Sequence, residues 1–197
     1  TKHSMSQFLQ FVFSGLTVGA VYAVVAIGFT LIYAASDVVN FAQGEFVMLG
    51  GMTTVFLIAM GLPVWLAAAS AVAVAVIVGI LLQKLAIERA RDASPVTLII
   101  ITLGASIFIR GVAGLLFDKQ FHNLAPFSGN TPIAVGGASV LPQSLWVLGS
   151  AIVMFLALWL FLDKTLTGKA LRASAANRLA ARLVGINISF VLVLAFG

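Results

Sequence analysis

Polar side chains that could do chemistry in an apolar setting lie in the stretch VVNFAQGEFVMLGG, residues 38–51. Asn40 and Gln43 bring two amides and Glu45 a carboxylate, and long apolar stretches flank them. Because a charged side chain at the centre of a bilayer costs about 2.5–3.5 kcal/mol, such groups face the protein interior or a water-filled cavity. The stretch therefore predicts a helix break that serves a polar pathway or a contact between subunits. The alternative is a short cytoplasmic turn over residues 36–45, in which Asn40 caps the next helix.

A second polar segment is LTGKALRASAANRLAARLVGIN, residues 166–187. Six of the fifteen residues from 170 to 184 are Ala, which favours helix, and Gly185 lies where a glycine commonly ends one. Arg178 and Arg182 are four residues apart and therefore share a helix face. A helix with so many small side chains fits closely into the groove of a partner protein. The alternative is a basic loop that only orients the neighbouring membrane spans.

The remaining polar residues predict no catalysis and no cofactor. The sequence contains no HExxH motif, no Walker A loop and no nucleophile elbow, so we expect no ATP binding by this chain itself. His3 and His122 are too isolated to predict a metal site. Arg110 lies late in an apolar stretch. There it either extends toward the membrane surface, or lines a pore or forms a salt bridge.

The composition indicates a membrane protein. Hydrophobic residues make up 61% of the chain and charged residues 9%, with a mean hydropathy of +1.15; soluble domains have about 25% charged residues. The net charge of +5 is concentrated in short loops, which indicates membrane topology and contact with lipid, with no nucleic-acid partner. The absence of cysteine excludes thiol catalysis and disulfides within these residues.

Apolar stretches of about 20 residues are long enough to span a bilayer as helices. We predict an all-α, polytopic membrane helix bundle of about six spans, at residues 8–34, 42–61, 63–83, 96–117, 144–162 and 188 onward. The last span has only nine residues, SFVLVLAFG. We therefore expect residues 1–197 to be a single transmembrane domain that is truncated at its C-terminal end.

Basic residues predict which loops face the cytoplasm. The segment 84–95 holds Lys84, Arg89 and Arg91, and the segment 163–187 holds five Lys or Arg residues. The long segment 118–143 holds only Lys119. The positive-inside rule therefore predicts that the first two segments are cytoplasmic, that 118–143 is an external loop, and that the amino terminus lies outside.

Taken together, these motifs resemble the LivH-type permease of branched-chain amino acid ABC importers. The resemblance rests on GLTVGAVYAVVAIGFTLIYAASDVVNFAQGEFVMLGG (15–51), AIERA (86–90) and GKALRASAANRLAARLVGIN (168–187), and it runs along essentially the whole chain. Members of this family continue for several more helices. The resemblance implies a multi-pass subunit of a bacterial inner (plasma) membrane that imports Leu, Ile and Val and is not itself an enzyme.

The same resemblance implies partners and site residues. The partners are a second permease of the LivM type, two ATP-binding subunits and a periplasmic substrate-binding protein. Residues 163–187 then form the cytoplasmic coupling loop, in which five residues match the family pattern: Gly168, Ala170, Arg172, Ala175 and Gly185. Ser174 stands where many importer permeases carry Glu. Asn40, Gln43 and Glu45 then lie at the translocation path or at the interface with the second permease.

The sequence is also compatible with two other functions. A permease for urea or short amides resembles the chain in the same motifs, since recognition of the solute resides largely in the binding protein. A channel-like membrane protein that never couples to ATP is the alternative from another class. Binding of a nucleotide-binding subunit to residues 163–187 distinguishes an importer from such a channel.

Overall fold

The computed structural model describes residues 2–90, 93–117, 124, 126, 128–129, 131–135 and 138–197. Arg91, Lys119 and His122 lie outside the described residues, as does the side chain of His3. Most of the predicted external loop 118–143 is also outside them.

Helices form almost all of the described chain, as predicted. In chain order the elements are α1 (Lys2–Ser36), α2 (Gln43–Ala59), α3 (Val64–Leu82), a π-helical turn (Gln83–Ile87), α4 (Pro95–Leu116), β1 (Ile133–Val135), β2 (Ala138–Val140), α5 (Pro142–Lys164), α6 (Leu166–Ala176), α7 (Arg178–Leu183) and α8 (Ile188–Phe196).

The predicted class, a polytopic membrane helix bundle, is confirmed. Within the described residues, four helical segments are long and apolar enough to cross a membrane: Met5–Ser36, Val64–Ile87, Pro95–Leu116 and Pro142–Lys164. The other two predicted spans are shorter helices. The helix α2 has 17 residues, and α8 has 9.

Two compact units divide the chain, Thr1–Ile27 with Leu124–Phe161, and Gly28–Asn123 with Leu162–Gly197. The first unit holds the first part of α1, the strands and α5. Its strands form an antiparallel hairpin that pairs Ile133 with Val140, and the Ser139 N–H donates to Gln10 Oε1 at 2.8 Å. The sequence predicted only an external loop in this region, because three-residue strands are too short to show an alternating pattern.

The second unit begins with a helical hairpin of α2 and α3. Gly61 has a φ of +91° and Pro63 directly precedes α3. A left-handed glycine ends one helix at low cost, and proline cannot continue it, so the chain turns within a few residues. The spans predicted at residues 42–61 and 63–83 therefore form a tight helical hairpin.

The helix α3 extends further than predicted. A π-helical turn at Gln83–Ile87 continues it, and the Glu88 N–H donates to the Gln83 carbonyl at 2.8 Å. Gln83 is fully buried in this turn. The charge of Lys84 marked a helix end in the sequence, but Lys84 is exposed, so the charge does not interrupt the helix.

Two apolar clusters form the core of the second unit. One contains Ile32, Ala42, Leu82, Ile87 and Phe196, and the other contains Ala35, Leu171, Val191 and Ala195. The helix α8 contributes to both clusters. Gly79 of α3 lies directly against the backbone carbonyl of Phe196, so the absence of a side chain there permits the two backbones to meet.

The predicted Ala-rich helix of residues 170–184 is instead two helices. Asn177 separates α6 from α7 with an extended backbone, φ −158° and ψ 105°. Its Oδ1 accepts a hydrogen bond from the Ala180 N–H at 3.0 Å and so caps α7. Asn favours caps over helix interiors, and here that preference overrides the helix propensity of the alanines. Gly185, with a φ of +88°, ends α7 as predicted.

Candidate functional site

The link between α1 and α2 is non-helical and largely buried. The helix α1 ends at Ser36, whose hydroxyl donates to the Ile32 carbonyl at 2.7 Å and accepts from the Val38 N–H at 3.1 Å. Asn40 Oδ1 accepts from the Ala42 N–H at 3.0 Å, which shapes the turn before α2. Ala42, rather than Asn40, is the residue that directly precedes the helix.

The link lies beside the middle of α4 instead of its end. The Thr102 hydroxyl donates to the Val39 carbonyl at 3.3 Å, and Thr102 lies about 10 Å along α4 from its first residue, at 1.5 Å per residue. A Cβ added to Gly28 would lie 2.9 Å from Gln43 Nε2, and Gly28 lies about 12 Å before the end of α1. The chain therefore turns back along α1 before α2 begins.

Glu45, in the first turn of α2, binds two side chains of α4. Its Oε1 accepts from the Ser106 hydroxyl at 2.8 Å and from Arg110 Nη2 at 2.5 Å. Glu45 is 4% exposed, whereas the Arg110 side chain is 71% exposed. The carboxylate is thus enclosed by protein and its cationic partner faces outward. Of the two sequence-based interpretations of Arg110, the structure supports the salt bridge.

Three buried amide groups near this region have unused hydrogen-bonding atoms. Among the described residues, no partner contacts Asn40 Nδ2, Gln43 Oε1 or either polar atom of the Gln83 side chain. Buried polar atoms are nearly always hydrogen-bonded, so each of these atoms has an unmet requirement. Asn40 and Gln43 were expected at a functional break, and Gln83 was missed because a single amide after a long apolar run gives no pattern.

Two cavities lie along α4 at different levels. The first, about 490 Å³, is polar and is lined by residues that include Ser36, Glu88, Leu98, Arg178, Arg182 and Asn187. The second, about 550 Å³, is almost wholly apolar and is lined by residues that include Leu49, Thr53, Leu82, Ala105, Ile109 and Phe117. Along α4, Thr102 and its bond to the link lie between Leu98, which lines the first cavity, and Ala105, which lines the second.

The expected coupling residues have different environments in α6 and after α7. Gly168 is buried and its N–H donates to the Thr165 hydroxyl at 3.0 Å, and Ala170 is half-buried. Arg172 and Ala175 are exposed, as is Gly185 after α7. Arg172 lies 3.6 Å from a carboxylate oxygen of Asp163. Exposed apolar side chains of α7 and its end lie in the same segment, namely Leu179, Leu183 and Val184.

Arg178, at the start of α7, connects this segment to the link. Its Nη2 donates to the Ala35 carbonyl at 2.5 Å, and its Nε lies 3.9 Å from Asp37 Oδ2. A cation is favourable at the carboxyl end of a helix, where the last carbonyls carry partial negative charge. The two polar segments of the sequence therefore meet at the end of α1.

Comparisons with known proteins agree with the resemblance. The family described as branched-chain amino acid transport system / permease component matches residues 11–197. The high-affinity branched-chain amino acid transport system permease protein LivH of Salmonella typhimurium is 31% identical over 203 residues, covering 96% of this chain and 66% of that relative. The corresponding permease protein BraD of Pseudomonas aeruginosa is 29% identical, with the same coverage. The chain thus spans about two thirds of the length of these relatives.

More distant similarity extends to a sugar permease. The ribose import permease protein RbsC of Escherichia coli is 24% identical over 181 residues, covering 90% of this chain and 53% of that relative. No solved structure matches the chain significantly. The predicted multi-pass membrane location is confirmed by the four helical segments that are long and apolar enough to cross a membrane. The chain belongs to the family of branched-chain amino acid transport permease components.

Proposed function

We propose that the complete protein is the transmembrane permease subunit of an ATP-driven importer for branched-chain amino acids, and that it works with a periplasmic binding protein. The LivH and BraD relatives, which are named as branched-chain amino acid transport permeases, support the substrate class. The observation that carries the proposal is the Arg178 contact, because it joins the expected coupling segment to the polar break. An importer needs such a connection and a passive channel does not.

Two ATP-binding subunits are the proposed partners of residues 163–187 on the cytoplasmic side. Arg172, Ala175 and Gly185 are exposed and available for contact, whereas Gly168 and Ala170 allow α6 to pack closely against its neighbours. The exposed apolar side chains of α7 support a protein partner, since such side chains on a polar surface mark interaction sites.

A second permease of the LivM type is the proposed neighbour on the membrane side. Asn40, Gln43 and Glu45 then lie at the translocation path or at the interface between the two permeases. The unpaired atoms of Asn40 and Gln43 support this assignment, because a passing solute, water or a second subunit supplies the missing hydrogen bonds. The external loop of residues 118–143 faces the periplasmic binding protein.

Coupling proceeds from α7 to the break. When the ATPases close, they displace α6 and α7, and Arg178 transmits the displacement to Ala35 and Asp37 at the end of α1. Asp37 is the first residue of the link that carries Asn40. Movement of the link opens the barrier between the polar and apolar cavities.

Uptake by the complete complex tests the substrate and the energy source. Labelled leucine and labelled urea are offered to vesicles that contain the full-length permease with its partner subunits. We expect leucine uptake that requires both ATP and the binding protein. Urea uptake alone would reassign the substrate class, and leakage independent of ATP would favour the channel.

The contact with the ATPases has its own test. We expect Arg172→Glu to abolish co-purification of the ATP-binding subunits, because the change reverses the charge of an exposed residue in α6. Arg89→Glu is the matched control, since Arg89 is exposed in the other predicted cytoplasmic segment. Unchanged co-purification with Arg172→Glu would remove this residue from the ATPase contact.

A further inference from the structure

We infer that Glu45 and Arg110 form a transit site for the charged head group of an amino-acid substrate, with its ammonium group on Glu45 and its carboxylate on Arg110. This inference rests on the proposed function, which assigns this region to the translocation path. It goes further by naming Arg110 and the chemical class of ligand, a zwitterion.

Both members of the ion pair retain binding capacity. Among the described contacts, Arg110 uses Nη2 for Glu45, and a guanidinium group offers five N–H donors. Glu45 accepts both of its bonds through Oε1, which leaves Oε2 without a described partner. The Arg110 side chain is exposed, so a ligand can reach the pair from the surface of the chain. Ser106 remains bonded to the carboxylate while Arg110 turns toward a ligand.

The charges of the pair favour a zwitterion over other solutes. When a zwitterion separates the pair, each side chain exchanges one opposite charge for another, and the site stays neutral. A neutral solute such as urea offers no replacement charge, and a simple anion or cation leaves one charge uncompensated. Uncompensated charge in an apolar environment is costly. A ligand that carries both charges can therefore separate the ion pair, because it gives each side chain a new partner of opposite charge.

An apolar wall for the side chain of the substrate lies one helical turn away. Leu49 is four residues after Glu45 and shares its helix face, and Ala105 and Ile109 directly precede Ser106 and Arg110. All three line the apolar cavity of about 550 Å³. Thr53 also lines this cavity and is 6% exposed, and its hydroxyl has no partner among the described residues. Because the Thr53 hydroxyl has no hydrogen-bond partner among the described residues, we infer that the cavity receives a partly polar occupant.

The double variant Glu45→Gln/Arg110→Gln tests the head-group site in the complete complex. It removes both charges together, so no unpaired charge remains in the membrane. In complexes that still contain all of their subunits, we expect leucine uptake to fall at least tenfold. Lys84→Gln, which removes an exposed cation elsewhere, should retain uptake. Normal uptake by the double variant would overturn the inference and leave the ion pair a purely structural role.

A second measurement covers the case in which the double variant fails to assemble. Ala105→Leu narrows the apolar cavity, and we expect leucine uptake to fall at least threefold more than valine uptake. Ala73→Leu is the matched control on an exposed surface of α3. Because every variant uses the same binding protein, its own preference cancels from the comparison. An unchanged leucine-to-valine ratio would overturn the inference. If the wild-type complex imports no leucine, the proposed function fails as well, so the two failures are distinguishable.

Discussion

Gly79 illustrates how one residue can determine the packing of two helices. A Cβ at this position would overlap the Phe196 carbonyl oxygen, and the obstacle is backbone, which cannot move aside as a side chain can. We expect Gly79→Ala to lower the stability of the complete permease by about 1–3 kcal/mol. Thermal unfolding of the purified complex measures this. Gly51→Ala is the control, because no described atom lies within 4 Å of the added Cβ; equal losses in both variants would contradict the prediction.

Asp37 has two separable roles. Its φ of +54° ends α1 in a left-handed conformation, and its carboxylate lies near Arg178. Asn tolerates this conformation, whereas a β-branched residue does not. We expect Asp37→Val to destabilise the complex by about 1–2 kcal/mol, and Asp37→Asn to retain stability while weakening the Arg178 contact. Thermal unfolding of the two variants measures this. A loss of stability in Asp37→Val alone indicates that the backbone conformation stabilises the protein, whereas an equal loss in Asp37→Asn indicates that the charge does.

At the residue scale the sequence revealed one half of the candidate site. Glu45 was visible because a carboxylate in an apolar stretch requires an explanation. Its partners, Ser106 and Arg110, are 61 and 65 positions away, and no local pattern states which helix faces meet. Their spacing of four residues in an apolar helix is the signal that could have identified them as one polar patch.

At the element scale, Arg178 of α7 connects the proposed coupling segment, residues 163–187, to the link. We expect Arg178→Ala to retain the ATP-binding subunits and ATP hydrolysis but to reduce uptake at least tenfold. Arg178→Lys should restore part of the uptake, since an ammonium can still bind the Ala35 carbonyl. Uptake per ATP hydrolysed in reconstituted vesicles measures this, and normal coupling in Arg178→Ala would contradict it.

Most element types were predictable, and their interruptions were less so. Long apolar runs predicted α1, α3, α4 and α5, because length and composition suffice for a membrane helix. The split between α6 and α7 was missed because the capping preference of Asn177 overrides the helix propensity of the six alanines in this segment. The depth of the α1–α2 link was also not predictable, since it depends on the distant contact between Val39 and Thr102.

At the scale of the whole molecule, the distribution of basic residues predicts the orientation of the chain in the membrane. These 197 residues contain no cysteine, so single cysteines can be introduced without background within them. We expect a membrane-impermeant maleimide to label Thr131→Cys in intact cells with a permeabilised outer membrane. Ala173→Cys should react only after the inner membrane is opened. Both residues are exposed. The opposite pattern would reverse the predicted topology.

The Arg178 bond to the end of α1 also has a thermodynamic consequence. Equilibrium coupling between two sites is reciprocal: if one ligand changes the affinity for another by some factor, the second changes the affinity for the first by the same factor. If α6 and α7 hold the ATP-binding subunits as proposed, a solute that shifts the link must therefore alter how tightly those subunits are held. On that proposal, the bond to the Ala35 backbone carbonyl makes the affinity for the ATP-binding subunits a measure of whether the solute is bound.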